Sequence, residues 1–209
     1  MKKYEFTGET KQISTINGTV TLHRIKVSAA FGNIKSGDIG GWIEKKENLS
    51  HDGNAWVYGN AQVYGNARVF GDAQVFGGAR VFGGARVHGD ARVFDDARVF
   101  GDARVFDDAQ VFGDAWVFGD AWVHGDARVY SSKHVLLVGP IGSRNDYTTF
   151  FRNRNRGISV SCGCFLGEID KFIEKVIETH GENKHASVYR ATAELAKLQI
   201  DLSEMEEEK

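Results

Sequence analysis

From Gly53-Asn54-Ala55-Trp56-Val57-Tyr58 to Gly125-Asp126-Ala127-Arg128-Val129-Tyr130 the chain runs through thirteen hexads without an insertion, most of them close to Gly-Asp-Ala-Arg-Val-Phe. A strict six-residue period, with a turn pair and two small or β-branched positions, is the pattern of a β-solenoid. Within a strand, residues two apart share a face. Ala91 and Val93 therefore face together, and Arg92 and Phe94 face the other way. Arginine fills the first of those other-face positions at 68, 80, 86, 92, 98, 104 and 128. A column of unpaired guanidinium groups cannot be buried. Ala and Val must line the interior, and Arg and Phe project outward, although the Gly-Asp corner that follows the Phe can rotate it partly inward.

Three hexads per turn predict a triangular coil of about 18 residues, with coils stacked roughly 4.8 Å apart. The expected aromatic columns are Phe70, His88, Phe106, His124; Phe76, Phe94, Phe112, Tyr130; and Tyr64, Phe82, Phe100, Phe118. Beside them run Trp56, Gln74, Arg92, Gln110, Arg128; then Gln62, Arg80, Arg98, Trp116; then Arg68, Arg86, Arg104, Trp122. Stacked rings stabilise the axis. They also leave apolar stripes longer than monomeric surfaces usually carry, which predicts a homo-oligomer, a trimer or a dimer.

Three regions follow. Residues 1–52 read as an N-terminal β cap, with alternating segments Tyr4–Gly8 and Thr19–Val27 flanking the turn signal Asn17-Gly18. An open solenoid end needs such a cover. Residues 53–130 are the solenoid. Residues 131–209 form a small α+β domain with strand candidates at Lys133–Val138, Tyr147–Phe151 and Gly157–Cys162. A helix is expected from Glu168 to His180 with an apolar stripe Ile169, Phe172, Ile173, Val176, Ile177, and a second over 185–202 with Val188, Leu195, Leu198 and Leu202 on one side. Ser203–Lys209 reads as a solvated acidic tail.

The run Gly37-Asp38-Ile39-Gly40-Gly41-Trp42-Ile43-Glu44, then Asn48-Leu49-Ser50 and the hexads, resembles the YdcK-like hexapeptide-repeat proteins of the trimeric LpxA-like left-handed β-helix superfamily. The resemblance covers residues 1 to about 130 and implies a mainly β chain, a single-stranded left-handed β-helix. Many relatives in the wider superfamily are acyltransferases. This chain departs from them in lacking an inserted loop and in placing Phe where a small or acidic residue often follows the aliphatic one. The near-identical hexads and modular tail point to a phage or prophage gene.

Net charge of −2, with both signs interleaved, gives no field that would draw nucleic acid or a membrane. The acidic corners Asp90, Asp96, Asp102, Asp108, Asp114, Asp120 and Asp126 are largely neutralised by the Arg columns, which argues against mimicry of a nucleic-acid backbone. No apolar leader or bilayer-length run is present, so a cytoplasmic protein is expected, in the host cytoplasm if phage-encoded. Cys162 and Cys164 are poorly spaced for a mutual disulfide and read as packing residues, with no metal and no cofactor expected.

Candidate chemistry lies at departures from the repeat and in the C-terminal region. Gly139-Pro140-Ile141-Gly142-Ser143-Arg144 joins flexible backbone, a hydroxyl and a guanidinium, as an anion cradle would; a plain hairpin connection needs the same glycines. Arg152, Arg154 and Arg156 could assist Arg144 with a phosphate or solvate a loop. Trp116 and Trp122 replace Arg in successive hexads, with Arg98 and Arg104 one coil below. Such a pair can hold a flat anionic ligand, or the tryptophans can form a docking collar. His88 and His124 replace Phe two coils apart on one face, where a general base could stand; the flanking hexads offer only Gly-Asp turns and no orienting partner, so they read as ladder substitutions. No catalytic residue is assigned. The expected ligand-binding set is Gly142, Ser143, Arg144, Arg98, Arg104, Trp116, Trp122 and Arg152. The expected function is a non-enzymatic oligomeric binding protein, an anti-defence protein that sequesters a nucleotide-type immune signal or blocks a host defence protein. A self-assembling scaffold and a hexapeptide-type acyltransferase are the competing readings.

Overall fold

A computed structural model describes residues 2–203; the acidic tail inferred from the sequence lies, beyond Ser203, outside the described residues. The chain is mainly β. A hairpin of β1 (Tyr4–Thr15) and β2 (Gly18–Val27) pairs antiparallel with β3 (Ile39–Ile43), and β3 pairs in parallel with the second hexad, Trp42 opposite Gln62. Thirteen two-residue strands follow, β4 (Trp56–Val57) to β16 (Arg128–Val129), and wind a solenoid of about five turns. Arg92 lies opposite Gln110 and Gln74, so one coil is 18 residues, and the three outer columns assemble as the period predicts.

The interior is as parity requires. The repeat Ala and Val residues from Ala55 to Val129 are buried. Apart from the exposed Phe118, the repeat Phe rings are half-buried, and they stack along the axis: Phe76 on Phe94 at 4.7 Å and Phe82 on Phe100 at 5.0 Å, with planes 2° apart. Backbone bonds tie the coils: the Arg92 N–H donates to the Ala109 carbonyl (2.9 Å) and the Phe94 N–H to Val111 (3.0 Å). Donation always runs from one coil to the next, so the first coil is left with free carbonyls and the last with free N–H groups.

Each end is closed by groups of the complementary type. At the first coil, Lys3 Nζ donates to the carbonyls of Gly53 (3.3 Å) and Ala55 (2.8 Å), and Asn48 Nδ2 to those of Gly65 and Ala67. Burial lowers the Lys3 pKa to about 8, against the opposing pull of Asp52 and Asp72. At the last coil the partners are acceptors: Thr149 Oγ1 takes the Trp122 N–H (3.0 Å) and His134 Nδ1 the Tyr130 N–H (3.2 Å).

Those acceptors belong to the C-terminal module. β17 (Val135–Ile141), β18 (Asp146–Arg152), β19 (Ile158–Cys162) and β20 (Phe165–Glu168) form an antiparallel sheet, followed by α1 (Ile169–His180) and α2 (Lys184–Gln199). Both faces of the sheet are covered. Leu136, Phe150, Ile158 and Val160 pack on the helices, while Val135, Leu137 and Phe151 pack on the open end of the solenoid core. The module is thus the solenoid's second cap.

Three local expectations are corrected. Lys133 and His134 form a turn of 3-10 helix, and β17 begins after them. Cys162-Gly163-Cys164 sits not at a strand-to-helix transition but at a hairpin leading into β20, a strand not among those expected. α2 buries Ala186, Tyr189, Ala193, Ala196 and Ile200, whereas Leu195 (47 %) and Leu198 (87 %) are exposed, and α1 leaves Ile177 outside. The buried face of α2 mixes alanines with Tyr189 and Ile200, Tyr189 meeting Phe172 of α1 edge-on at 5.6 Å, and the leucines fall outside it.

The corner glycines set a sharp constraint. Gly101 has φ +71°, and a Cβ there would lie 2.8 Å from the Gly119 nitrogen of the next coil. Gly101→Val is expected to cost about 2 kcal/mol or more, against less than about 0.5 kcal/mol for the exposed Arg80→Ala, read from denaturant unfolding midpoints.

Candidate functional site

Hairpin geometry gathers two separate sequence motifs. The turn Gly142–Asn145 between β17 and β18 and the turn at Gly163 between β19 and β20 lie side by side at one end of the sheet. Gly163 has φ +60°, and the Arg144 guanidinium lies over it; a Cβ there would stand 3.2 Å from Nη1. Gly142, at φ +70°, leaves room for the Tyr189 hydroxyl. Burial first, then the neighbouring Cys162, pushes the Tyr189 pKa up to about 12. Beside these turns opens a cleft of about 360 Å³. Ser143, Arg144, Lys175 and His180 give it polar and cationic walls; Phe165, Phe172, Val176 and Tyr189 give it an apolar floor. No acidic side chain among the described residues pairs with Arg144. Gly142-Ser143-Arg144 is therefore a hairpin turn, and its Ser and Arg border a cleft.

The Trp and Arg columns lie elsewhere. Arg98 stacks over Trp116 (4.9 Å) and Arg104 over Trp122 (4.6 Å), so each cation already occupies its aromatic plane. The two pairs are on different sheets. Trp122 and Arg104 line a second cleft, of about 200 Å³, between solenoid and module, together with Tyr147, Thr149 and Ser161. Trp116 (43 %) and Phe118 (48 %) are exposed at the terminal strand of the first sheet.

Arg152 does not join Arg144. It sits at the opposite end of β18, about 20 Å along a strand of this length, buried over the Tyr130 ring (4.8 Å) with Nη2 donating to the Ser203 carbonyl. Arg154 is exposed, and its N–H donates to the Asp126 carbonyl (3.0 Å). His88 stacks between Phe70 (4.6 Å) and Phe106 (5.0 Å) as a ladder member. His124 continues that ladder on Phe106 but also meets Ser161 across the junction. Sequence reasoning missed Lys175 and Tyr189, whose helical spacing reads as ordinary surface and core. It also missed Thr149 and Ser161, polar members of strands whose partner face is invisible until the module docks. Cys162 and Cys164 are free thiols, and no group of three or more His, Cys, Asp or Glu among the described residues could hold a metal ion. No described helix is long and apolar enough to cross a membrane.

A ladder-built solenoid covered at both ends by other elements defines a capped β-solenoid repeat protein. The family model described as YdcK Beta solenoid repeat matches residues 61–75, 73–89 and 109–125, so these coils are similar to that repeat. All three segments lie within the coils, and the C-terminal module is outside them. Comparison with curated proteins gives no match.

His134 reports on the junction. Its Nδ1 must be unprotonated to accept the Tyr130 N–H, and burial, reinforced by Arg152, lowers its pKa from 6.5 to about 4. Between those values the unfolded chain binds a proton that the folded chain does not, so stability rises with pH there and is lost as pH falls from 6.5 towards 4. His134→Asn, which keeps an acceptor and cannot titrate, is expected to flatten that part of the profile of unfolding temperature against pH.

Proposed function

We propose that the protein is a binding protein in which the solenoid is a rigid scaffold and the C-terminal module the recognition unit. The observation that carries this reading is the cleft beside the two hairpin turns. Arg144, which no acidic side chain among the described residues pairs, and Lys175, bridged to the exposed Glu178 (2.8 Å), stand at its wall over an aromatic and aliphatic floor, chemistry that suits a small ligand with an anionic group and a flat apolar part. A nucleotide-type molecule has both, its phosphate directed to Arg144 and Lys175 and its base to Phe165 and Phe172. In a phage-borne gene, holding such a molecule amounts to sequestering an immune signal of the host.

Calorimetry against a panel of cyclic and ADP-ribose nucleotides is expected to find at least one ligand binding more tightly than about 100 μM, roughly 5.5 kcal/mol. Arg144→Ala and Lys175→Ala should each weaken it at least about tenfold, while Arg98→Ala leaves it unchanged. Absence of binding across the panel overturns the reading.

A second reading, self-assembly, is favoured by Trp116 and Phe118 at an open strand edge together with Leu195 and Leu198 on the outside of α2. It predicts a solution mass that is a multiple of 23.1 kDa and that falls to the single-chain value in a Trp116→Ser/Phe118→Ser variant, measured by light scattering. A single-chain mass for the unmodified protein counts against it.

A further inference from the structure

Three side chains from separate elements, each an exception in its own setting, meet at the junction. Asp107 holds a left-handed corner (φ 56°) where most hexads have Gly. His124 stands in a column otherwise made of Phe and His88. Ser161 lies on β19, on the sheet face that covers the solenoid. His124 Nε2 is 3.1 Å from Ser161 Oγ, and His124 Nδ1 is 3.6 Å from Asp107 Oδ2. The imidazole is held flat against Phe106 at 4.3 Å, with planes 13° apart. Asp107 is itself restrained by the Gly125 N–H, which donates to Oδ2 (3.4 Å).

The partners define the tautomer. A carboxylate facing Nδ1 favours the proton there and leaves the Nε2 lone pair directed at the serine hydroxyl. Burial lowers the His124 pKa against the opposing effect of Asp107, so the ring is neutral and able to take a proton at neutral pH. Ser161 is buried within the protein but borders the 200 Å³ cleft that also holds Thr149, Tyr147 and the Arg104–Trp122 pair. Asp102, Asp120 and Asp146 border the same cleft, so it carries both signs of charge beside Ser161.

We propose that Ser161 is a nucleophile, activated by His124 and oriented through Asp107, that accepts an acyl group from a small activated ester. Ser161 Oγ bonds to the acyl carbon as its proton passes to His124 Nε2. The bond to the alcohol leaving group breaks, and that group takes the proton from His124. Water, deprotonated by the same nitrogen, then cleaves the acyl-serine to the carboxylic acid, returning the proton to Ser161 Oγ. His88, two coils from the last and with no serine opposite it, has no part in this.

The test uses the full chain and a small fluorophosphonate. Ser161 Oγ bonds to phosphorus, the P–F bond breaks, fluoride leaves, and the serine proton goes through His124 to solvent. Intact mass and peptide mapping are expected to show one adduct, on Ser161, absent in Ser161→Ala. His124→Phe restores the common repeat residue and keeps a ring on Phe106; it should slow labelling about 100-fold or more. Asp107→Asn should slow it about tenfold, and His88→Phe should leave it unchanged. The labelling rate should level off with rising pH below the ordinary histidine midpoint. Circular dichroism checks that each variant retains the fold. No adduct on the folded protein, or a rate that His124→Phe leaves unchanged, overturns the proposal; an Asp107→Asn rate equal to wild type removes Asp107 from it. Arg144→Ala leaves labelling intact, so failure here is separable from failure of the binding cleft.

Discussion

Each coil donates its backbone N–H groups to the carbonyls of the coil that follows, and this one-way pattern gives the rod two chemically different ends. The first coil presents acceptors and the last presents donors. A buried backbone group without a partner costs about 1–3 kcal/mol, so neither end can be left bare, and the two cannot be closed by the same chemistry. Lys3 and Asn48 bring side-chain donors to the first coil. Thr149 and His134 bring acceptors to the last. The architecture on either side of the repeat follows from that requirement.

The second cap has a consequence beyond closure. A sheet that covers a solenoid end must be apolar on both faces, one for its own helices and one for the coils, and alternation along β18 does this with Phe150 and Phe151. The polar residues that share the inner face, Thr149 and Ser161, then meet the groups left over at the last coil. The candidate sites lie here and at the two hairpin turns for the same reason: the coils repeat, so any one of them offers little that its neighbours do not. Arg98 and Arg104 illustrate the limit, since each is already stacked on the tryptophan of the next coil.

The solenoid was legible because the cost of burying charge turns a periodic sequence into an inside and an outside without further information. The same logic served the Phe columns and the placing of Trp116 and Trp122 on different faces. It failed where contacts rather than period decide. Leu195 and Leu198 look like a helical core stripe, yet α2 buries the face that carries Ala186, Tyr189, Ala193, Ala196 and Ile200. Arg152 looks like a partner for Arg144, yet a single strand carries it to the far end of the sheet and buries it on Tyr130.

By itself the sequence determined the coil: its 18-residue register, the Ala and Val interior, the outward columns and the need for caps, all consequences of short-range parity and the exclusion of charge from an apolar core. Only the tertiary structure decided which residues act together. Ser143 and Arg144 share a cleft with Lys175 because two hairpin turns fall at the same end of one sheet. Asp107, His124 and Ser161 meet because the cap presses a strand face against the last coils. Those meetings depend on how separately folded elements dock, which no local pattern encodes.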